Sequence, residues 1–195
     1  MRLFVAVEIG PDVQAAASRV IEDLKRRTAQ SAPHARVTWV KTEALHLTVR
    51  FIGQASPDVC QTILAALERP LQVSAFELTI AGTGSFPPKR PPRVIWAGIA
   101  SGLDQLRAVE REVRSRLEPL VPADDARSGA DRDYHPHLTL GRVKVPAGVQ
   151  PAVLLNGLEQ AVFGRVRVGA VTLFESRLSP TGPAYVALGR TPLTS

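Results

Sequence analysis

Two hydrophobic periods alternate along the chain, and each predicts a different kind of element. Period-two alternation of apolar and polar residues indicates strands, and apolar residues three or four positions apart indicate helices. The predicted strands are residues 2–8, 37–40, 46–52, 75–81, 94–100, 137–143, 171–178 and 184–190. The predicted helices are residues 11–29, 57–69, 101–118 and a short one near 151–161. No linker or low-complexity segment interrupts them, so we expect one α+β domain over residues 1–195.

Two of the predicted strands carry the same His-Leu-Thr motif, almost half the chain apart. The first reads Leu45-His46-Leu47-Thr48-Val49, and the second reads Pro136-His137-Leu138-Thr139-Leu140. Helices accompany both. This internal echo predicts a bilobal fold of two similar lobes, each with an antiparallel sheet and helices. The His-x-Thr strands are expected to face a central cleft.

The motif has a chemical reading because side chains alternate between the faces of a strand. His and Thr, two residues apart, project together, while the Leu between them points into the core. Two facing copies would offer two imidazoles for acid–base work and two hydroxyls for phosphate oxygens. One copy alone is usually a half-buried His with a satisfied hydrogen bond. The duplication therefore favours metal-independent phosphodiester hydrolysis.

Composition and charge narrow the class of protein. The chain is 45% hydrophobic and 22% charged, which is typical of a folded globular protein. No apolar run is long enough for a membrane span, and MRLFVAVEIG reads as a first strand, not a signal peptide. A single cysteine excludes an internal disulfide and a cysteine-based zinc site. We expect a cytoplasmic protein whose net charge of +6 steers an anionic substrate.

Further segments around the motifs carry a family resemblance. They are Arg2-Leu3-Phe4-Val5-Ala6, Trp39-Val40, Phe51-Ile52-Gly53, Gly82-Thr83-Gly84-Ser85-Phe86-Pro87, Pro92-Arg93-Val94-Ile95-Trp96-Ala97-Gly98, Gly141-Arg142, Leu173-Phe174-Glu175-Ser176 and Gly182-Pro183-Ala184-Tyr185. With them the chain resembles the 2H phosphoesterase superfamily, specifically the RNA 2′,3′-cyclic phosphodiesterases, also called 2′-5′ RNA ligases. Gly141 departs from that pattern, in which alanine or another apolar residue is expected.

The resemblance implies a reaction and a role for each motif residue. The reaction is hydrolysis of a terminal RNA 2′,3′-cyclic phosphate to a 2′-phosphate without metal or other cofactor, with reverse 2′-5′ ligation as the same chemistry. His46 would protonate the departing O3′, and His137 would activate water. Thr48 and Thr139 would hold phosphate oxygens, and Arg142 would neutralise developing charge. The symmetry of the motifs by itself leaves the order of the two histidine roles open.

Residues next to the second motif are further candidates for substrate binding. Tyr134, like Phe51 and Trp39, is a candidate to stack a terminal base, and His135 is a candidate rim contact to RNA. The arginines that are candidate contacts to the RNA backbone are Arg93 and Arg132. His135 and His137 could also be read as a metal pair, but no third ligand stands at a suitable spacing. We therefore expect no metal site.

Two other functions fit the same sequence. One keeps the site but takes a small cyclic nucleotide or a 2′-5′ oligonucleotide. The other is a non-catalytic RNA-end binder, which would have no need of both imidazoles. The expected partner is RNA with 2′,3′-cyclic phosphate ends, tRNA fragments being one source, with no membrane. A monomer is expected, because both motifs lie in one chain.

Overall fold

A computed structural model describes residues 1–88, 91–121, 134–179 and 182–195. The polar sequence of residues 121–133 predicts a loop, and all of it except residue 121 lies outside these ranges. Arg132, a candidate contact to the RNA backbone, is among the residues outside them. The strands are β1 (Arg2–Glu8), β2 (Arg36–Trp39), β3 (His46–Gln54), β4 (Leu71–Ser74), β5 (Phe76–Phe86), β6 (Val94–Ser101), β7 (Leu138–Val145), β8 (Val162–Val168), β9 (Ala170–Ser179) and β10 (Gly182–Thr194). The helices are α1 (Pro11–Ser31), α2 (Pro57–Ala66), α3 (Leu103–Leu117) and α4 (Pro151–Leu154).

The two longest helices follow directly from local sequence. Helix α1 begins with Pro11, whose fixed φ suits the first helical position. In α3 the apolar stripe predicted from the sequence is buried, with arginines in the last turn, where the helix dipole favours positive charge. The buried face of each helix packs into one hydrophobic core with the Leu3, Val5 and Val7 face of β1. Among the described helices, none is both long and apolar enough to cross a membrane.

The strands form one sheet made of two halves. Its order is β4-β10-β9-β1-β3-β7-β6-β5-β8. Strand β2 lies outside this order and pairs with β7 from Gly141 to Val145. The pairings in the described residues are antiparallel except for the parallel pair β4 and β10. The halves meet between β3 and β7 at one residue pair, Leu47 with Leu138. The predicted α+β class is confirmed, with the two motif strands as neighbours at the centre.

The halves of the sheet are not the halves of the chain. Strands β9 and β10, from the C-terminal part, lie beside β1 in the sheet half that contains β3. Strand β2, from the N-terminal part, joins β7 in the other half. Each lobe is thus completed by strands from the far end of the chain.

Four elements differ clearly from the sequence prediction. Strands β4 and β8 were not predicted, and of the helix expected near 151–161 only Pro151–Leu154 is helical. The chain leaves the helix through Gly157, whose φ of 75° requires glycine, and then enters β8. Strand β5 also continues through Phe86 into the segment expected to be a connection.

The leucine pair at the junction provides a test of stability. Leu47 and Leu138 are both fully buried, so Leu138→Ala should lower the free energy of unfolding by about 2–5 kcal/mol. Urea denaturation measures this. Leu188→Ala, at a partly buried position on β10, is the control and should cost less. Equal losses for the two variants would contradict the junction's importance.

Candidate active site

His46 is oriented by the main chain just before it. A short 3₁₀ turn at Thr42–Ala44 precedes β3, and the Nδ1 of His46 lies 2.9 Å from the carbonyl oxygen of Ala44. A carbonyl oxygen only accepts, so Nδ1 carries the proton and donates it. The other ring nitrogen, Nε2, is thereby left for chemistry.

His137 repeats this arrangement in the second motif. It stands immediately before β7, and its Nδ1 donates to the carbonyl oxygen of His135 at 2.7 Å. In both motifs the acceptor is the carbonyl two residues earlier. The duplication seen in the sequence therefore extends to tautomer and ring orientation.

The junction pair sets where the four motif side chains stand. Leu47 lies opposite Leu138 in an antiparallel ladder, which places His46 alongside Thr139 and Thr48 alongside His137. The leucines point into the core, so the His and Thr side chains occupy the other face of the sheet. Each imidazole thus stands next to the hydroxyl of the opposite motif.

An irregularity in β7 brings Arg142 to this face. Thr139 pairs with Trp96 and Arg142 pairs with Val94, with a register shift between them. Trp96 and Val94 are two residues apart and share a face, so Thr139 and Arg142 share it too. Without the shift, an odd spacing of three would have turned Arg142 to the opposite side.

Strand β3 has an equivalent irregularity with a different outcome. Thr48 pairs with Ala6 and Phe51 pairs with Phe4, with a register shift in between. Phe51 thus has the position in the first motif that Arg142 has in the second. The two halves of the site are similar in backbone but carry an aromatic ring on one side and a guanidinium on the other.

Aromatic rings pack against both histidines. His46 lies 4.8 Å from Phe4 and 5.0 Å from Tyr185, edge-on to the latter, between ring centroids. His137 lies 5.2 Å from Phe86, also edge-on, and 6.5 Å from Trp96. Sequence reasoning did not select Phe4, Tyr185 or Trp96, although each stands in a segment of the family resemblance.

The environment disfavours charge on both imidazoles. Burial lowers the pKa of His46 below its usual value, the hydrogen bond to Ala44 opposes this, and the positive charges of Arg142 and His137 add to the lowering. Burial likewise lowers the pKa of His137, opposed by the His135 carbonyl and assisted by Arg142. The positive charge of Arg142 therefore acts on the histidines of both motifs.

The structure gives Tyr134 and His135, the candidates just before the second motif, different environments. Tyr134 packs against the core, and its hydroxyl donates to the carbonyl oxygen of Thr48 at 3.0 Å. Burial, together with the charge of Glu110, raises the pKa of Tyr134. His135 is exposed, and its ring lies 6.4 Å from Phe86. The geometry thus gives Tyr134 and the His135 carbonyl contacts that orient the motifs.

The ring of Trp39 accounts for the glycine at position 141. Trp39 pairs with Gly141 across β2 and β7, on the face opposite to Arg142. A Cβ on Gly141 would stand 2.7 Å from the Trp39 ring, so the indole occupies the space that alanine would need. The departure from the family pattern is therefore matched by a bulky neighbour.

Arg93, a candidate contact to the RNA backbone, is exposed. Its main-chain N–H donates to the carbonyl oxygen of Phe86, and its carbonyl oxygen accepts from the N–H of Val143.

The described residues hold no cluster of three or more His, Cys, Asp or Glu side chains that could bind a metal ion. What the site does offer is two imidazoles with free Nε2 atoms, two hydroxyls and one guanidinium. Together they can give and take protons around an anion and neutralise its charge.

Comparisons with known proteins identify the family of this chain. The family model of the 2′-5′ RNA ligase superfamily matches residues 11–179, and the chain belongs to that family of two-histidine phosphoesterases. It is 33% identical to the RNA 2′,3′-cyclic phosphodiesterase of Methanothermobacter thermautotrophicus over 189 residues, which cover 95% of each protein.

Solved structures agree with the fold. The TT0787 protein of Thermus thermophilus superposes with a TM-score of 0.77 at 29% identity, covering 99% of this chain and 98% of that one. LigT of E. coli complexed with 3′-AMP superposes with a TM-score of 0.65 at 25% identity, covering 100% and 98%.

The two histidines should make stability depend on pH. Their folded pKa values lie below the ordinary 6.5, so the unfolded chain binds more protons as pH falls below that value. This contribution to the free energy of unfolding is fully present above pH 6.5 and is lost as pH falls through the folded pKa values. Urea denaturation at about pH 7.5 and about pH 5 measures it. His46→Gln should lose less stability over this interval than the wild type, and equal losses would contradict the lowered pKa.

Proposed function

We propose that this protein opens the 2′,3′-cyclic phosphate at the end of an RNA, without a metal ion, and leaves a 2′-phosphate. The observation that carries the proposal is the pair of imidazoles held diagonally across one pair of leucines, on the same face of the sheet. Each has Nδ1–H bound by a main-chain carbonyl and Nε2 directed to chemistry. The relative from Methanothermobacter thermautotrophicus is named as an RNA 2′,3′-cyclic phosphodiesterase, which supports the same substrate.

The reaction uses each imidazole once. His137 Nε2 accepts a proton from water as the water oxygen attacks phosphorus. The bond from phosphorus to O3′ breaks, and His46, protonated at Nε2, donates its proton to O3′. A proton then returns from His137 to His46 through solvent, which restores both groups. The sequence resemblance supports this order of roles, and the lowered pKa of His137 favours the neutral imidazole that a general base needs.

The remaining polar groups act on the phosphate. Thr48 and Thr139 donate hydrogen bonds to its non-bridging oxygens from opposite sides of the junction. Arg142 neutralises the charge that develops as water attacks. These roles supply what a metal ion otherwise provides, namely charge neutralisation and activated water. A single chain contains all of them, so we propose that a monomer suffices.

The family supports the reverse reaction as a second activity. The superfamily takes its name from 2′-5′ RNA ligation. If a 5′-hydroxyl of another RNA takes the place of water, the same proton transfers join it to the 2′,3′-cyclic end. The complex of E. coli LigT with 3′-AMP supports a cleft that accepts a nucleotide whose phosphate is on the 3′ side of the ribose.

Replacement of either histidine tests the acid–base roles. We expect His46→Ala and His137→Ala each to lower kcat by at least about 100-fold while RNA-end binding stays within a few-fold. Single-turnover kinetics and a binding titration measure the two quantities. His34→Ala, at an exposed residue between α1 and β2, is the matched control and should keep wild-type activity. Unchanged turnover in either motif variant would rule out the mechanism.

The product identifies the scissile bond. A short RNA with a 2′,3′-cyclic phosphate end, incubated with the protein in EDTA, should yield a 2′-phosphate. Chromatography against authentic 2′- and 3′-phosphate standards identifies it. A 3′-phosphate would reverse the scissile bond, and strong inhibition by EDTA would contradict a metal-independent reaction. If no RNA is opened, a small cyclic phosphate or RNA-end binding becomes the better reading.

A further inference from the structure

A row of three polar side chains crosses the sheet beside the His46 half of the site. Arg2 on β1 pairs with Ser176 on β9, and Ser176 pairs with Tyr185 on β10. Directly paired residues of antiparallel strands project from the same face. Arg2 is two residues from Phe4, which packs on His46, so the row lies on the face of the reacting groups.

The row has unused hydrogen-bonding capacity. Within the described ranges, the side chains of Arg2, Ser176 and Tyr185 have no hydrogen-bond or ion-pair partner. The guanidinium carbon of Arg2 instead lies 5.0 Å from the centroid of the Phe51 ring. Stacking on a ring face orients a guanidinium but leaves its in-plane N–H groups free. Two hydroxyls and a guanidinium fork are therefore available to one ligand.

This ligand is an anion. Burial raises the pKa of Tyr185, and the positive charges of Arg142 and Arg2 oppose that rise. Arg2 has no carboxylate partner among the described side chains. A guanidinium beside hydroxyl donors on one face of a sheet is an arrangement that binds phosphate.

The row also has a definite place relative to the reacting phosphate. Tyr185 touches His46, whereas Arg2 stands at the far end of the row. Along β1, Arg2 is two residues beyond Phe4, a step of about 7 Å. The row thus leads outward from the scissile phosphate.

We propose that Arg2, Ser176 and Tyr185 form a second anion subsite, which binds the phosphodiester joining the terminal nucleotide to the one before it. The proposal rests on the proposed function, because that function places the cyclic phosphate between the two motifs. A cyclic mononucleotide without a 5′-phosphate lacks the group that this subsite recognises. The subsite therefore makes an RNA chain the preferred substrate over a small cyclic nucleotide.

The test removes the charge from each partner in turn. The substrates are two dinucleotides ending in a 2′,3′-cyclic phosphate, one with a phosphodiester between its nucleosides and one with a neutral methylphosphonate. Wild-type kcat/KM should favour the phosphodiester by about tenfold, the size of a hydrogen-bonded contact to a charged group. In Arg2→Gln that preference should fall close to one. Ser176→Ala should reduce it by a smaller factor and serves if Arg2→Gln does not fold.

A matched control removes the same charge elsewhere. Arg19→Gln, at an exposed position on α1, should keep the wild-type preference. An Arg2→Gln protein that keeps the full preference, or that loses activity equally on both dinucleotides, would overturn the subsite. So would a wild-type enzyme that opens both dinucleotides equally well. If the wild type opens neither, the proposed function fails and the subsite with it, and this outcome is distinct from the others.

Discussion

The pairing of Leu47 with Leu138 is the constraint on which the site depends. It is the contact at which the two halves of the sheet join, and both side chains are fully buried. Since side chains alternate with a period of two, a slip of one residue in either strand would turn its His and Thr into the core. The cost of burying those polar groups excludes the slip. Burial of two leucines thus determines which polar groups share one face of the sheet.

The two halves of the site are alike in backbone and unlike in chemistry. Each has a histidine fixed by the carbonyl two residues earlier and a register shift that turns the residue three after Thr toward the same face. That residue is Arg142 in one half and Phe51 in the other. The proposed reaction is itself asymmetric, because the oxygen of water enters on one side of phosphorus and O3′ leaves on the other. The unequal halves of the site match that asymmetry.

Local pattern was enough for the motif strands and the longer helices, because each is a run of strict periodicity. It was not enough for β4, whose four residues are held by a parallel pairing with β10. Strand β8 alternates between buried and exposed residues for most of its length, but no strand was predicted there. The rings that pack against His46, Phe4 and Tyr185, come from opposite ends of the chain. No local signal links them.

Tyr134 makes a contact that its position next to the second motif in the sequence did not predict. An aromatic residue three positions before His137 was a reasonable candidate for stacking on a base. In the structure its hydroxyl donates to the main chain of Thr48, in the other motif. That bond ties the two motifs together across the junction, and only the tertiary fold shows it.

The exchange of strands between the lobes has a consequence for how the protein folds. Strand β1 lies between β3 and β9, so its second neighbour is separated from it by most of the chain. Contacts of such high sequence separation require closure of long loops before they contribute, which slows folding. Until β9 arrives, the apolar and aromatic edge of β1 is open to pairing with other chains. The cleft is therefore completed late, and an isolated half of the chain would contain one motif on an unprotected sheet edge.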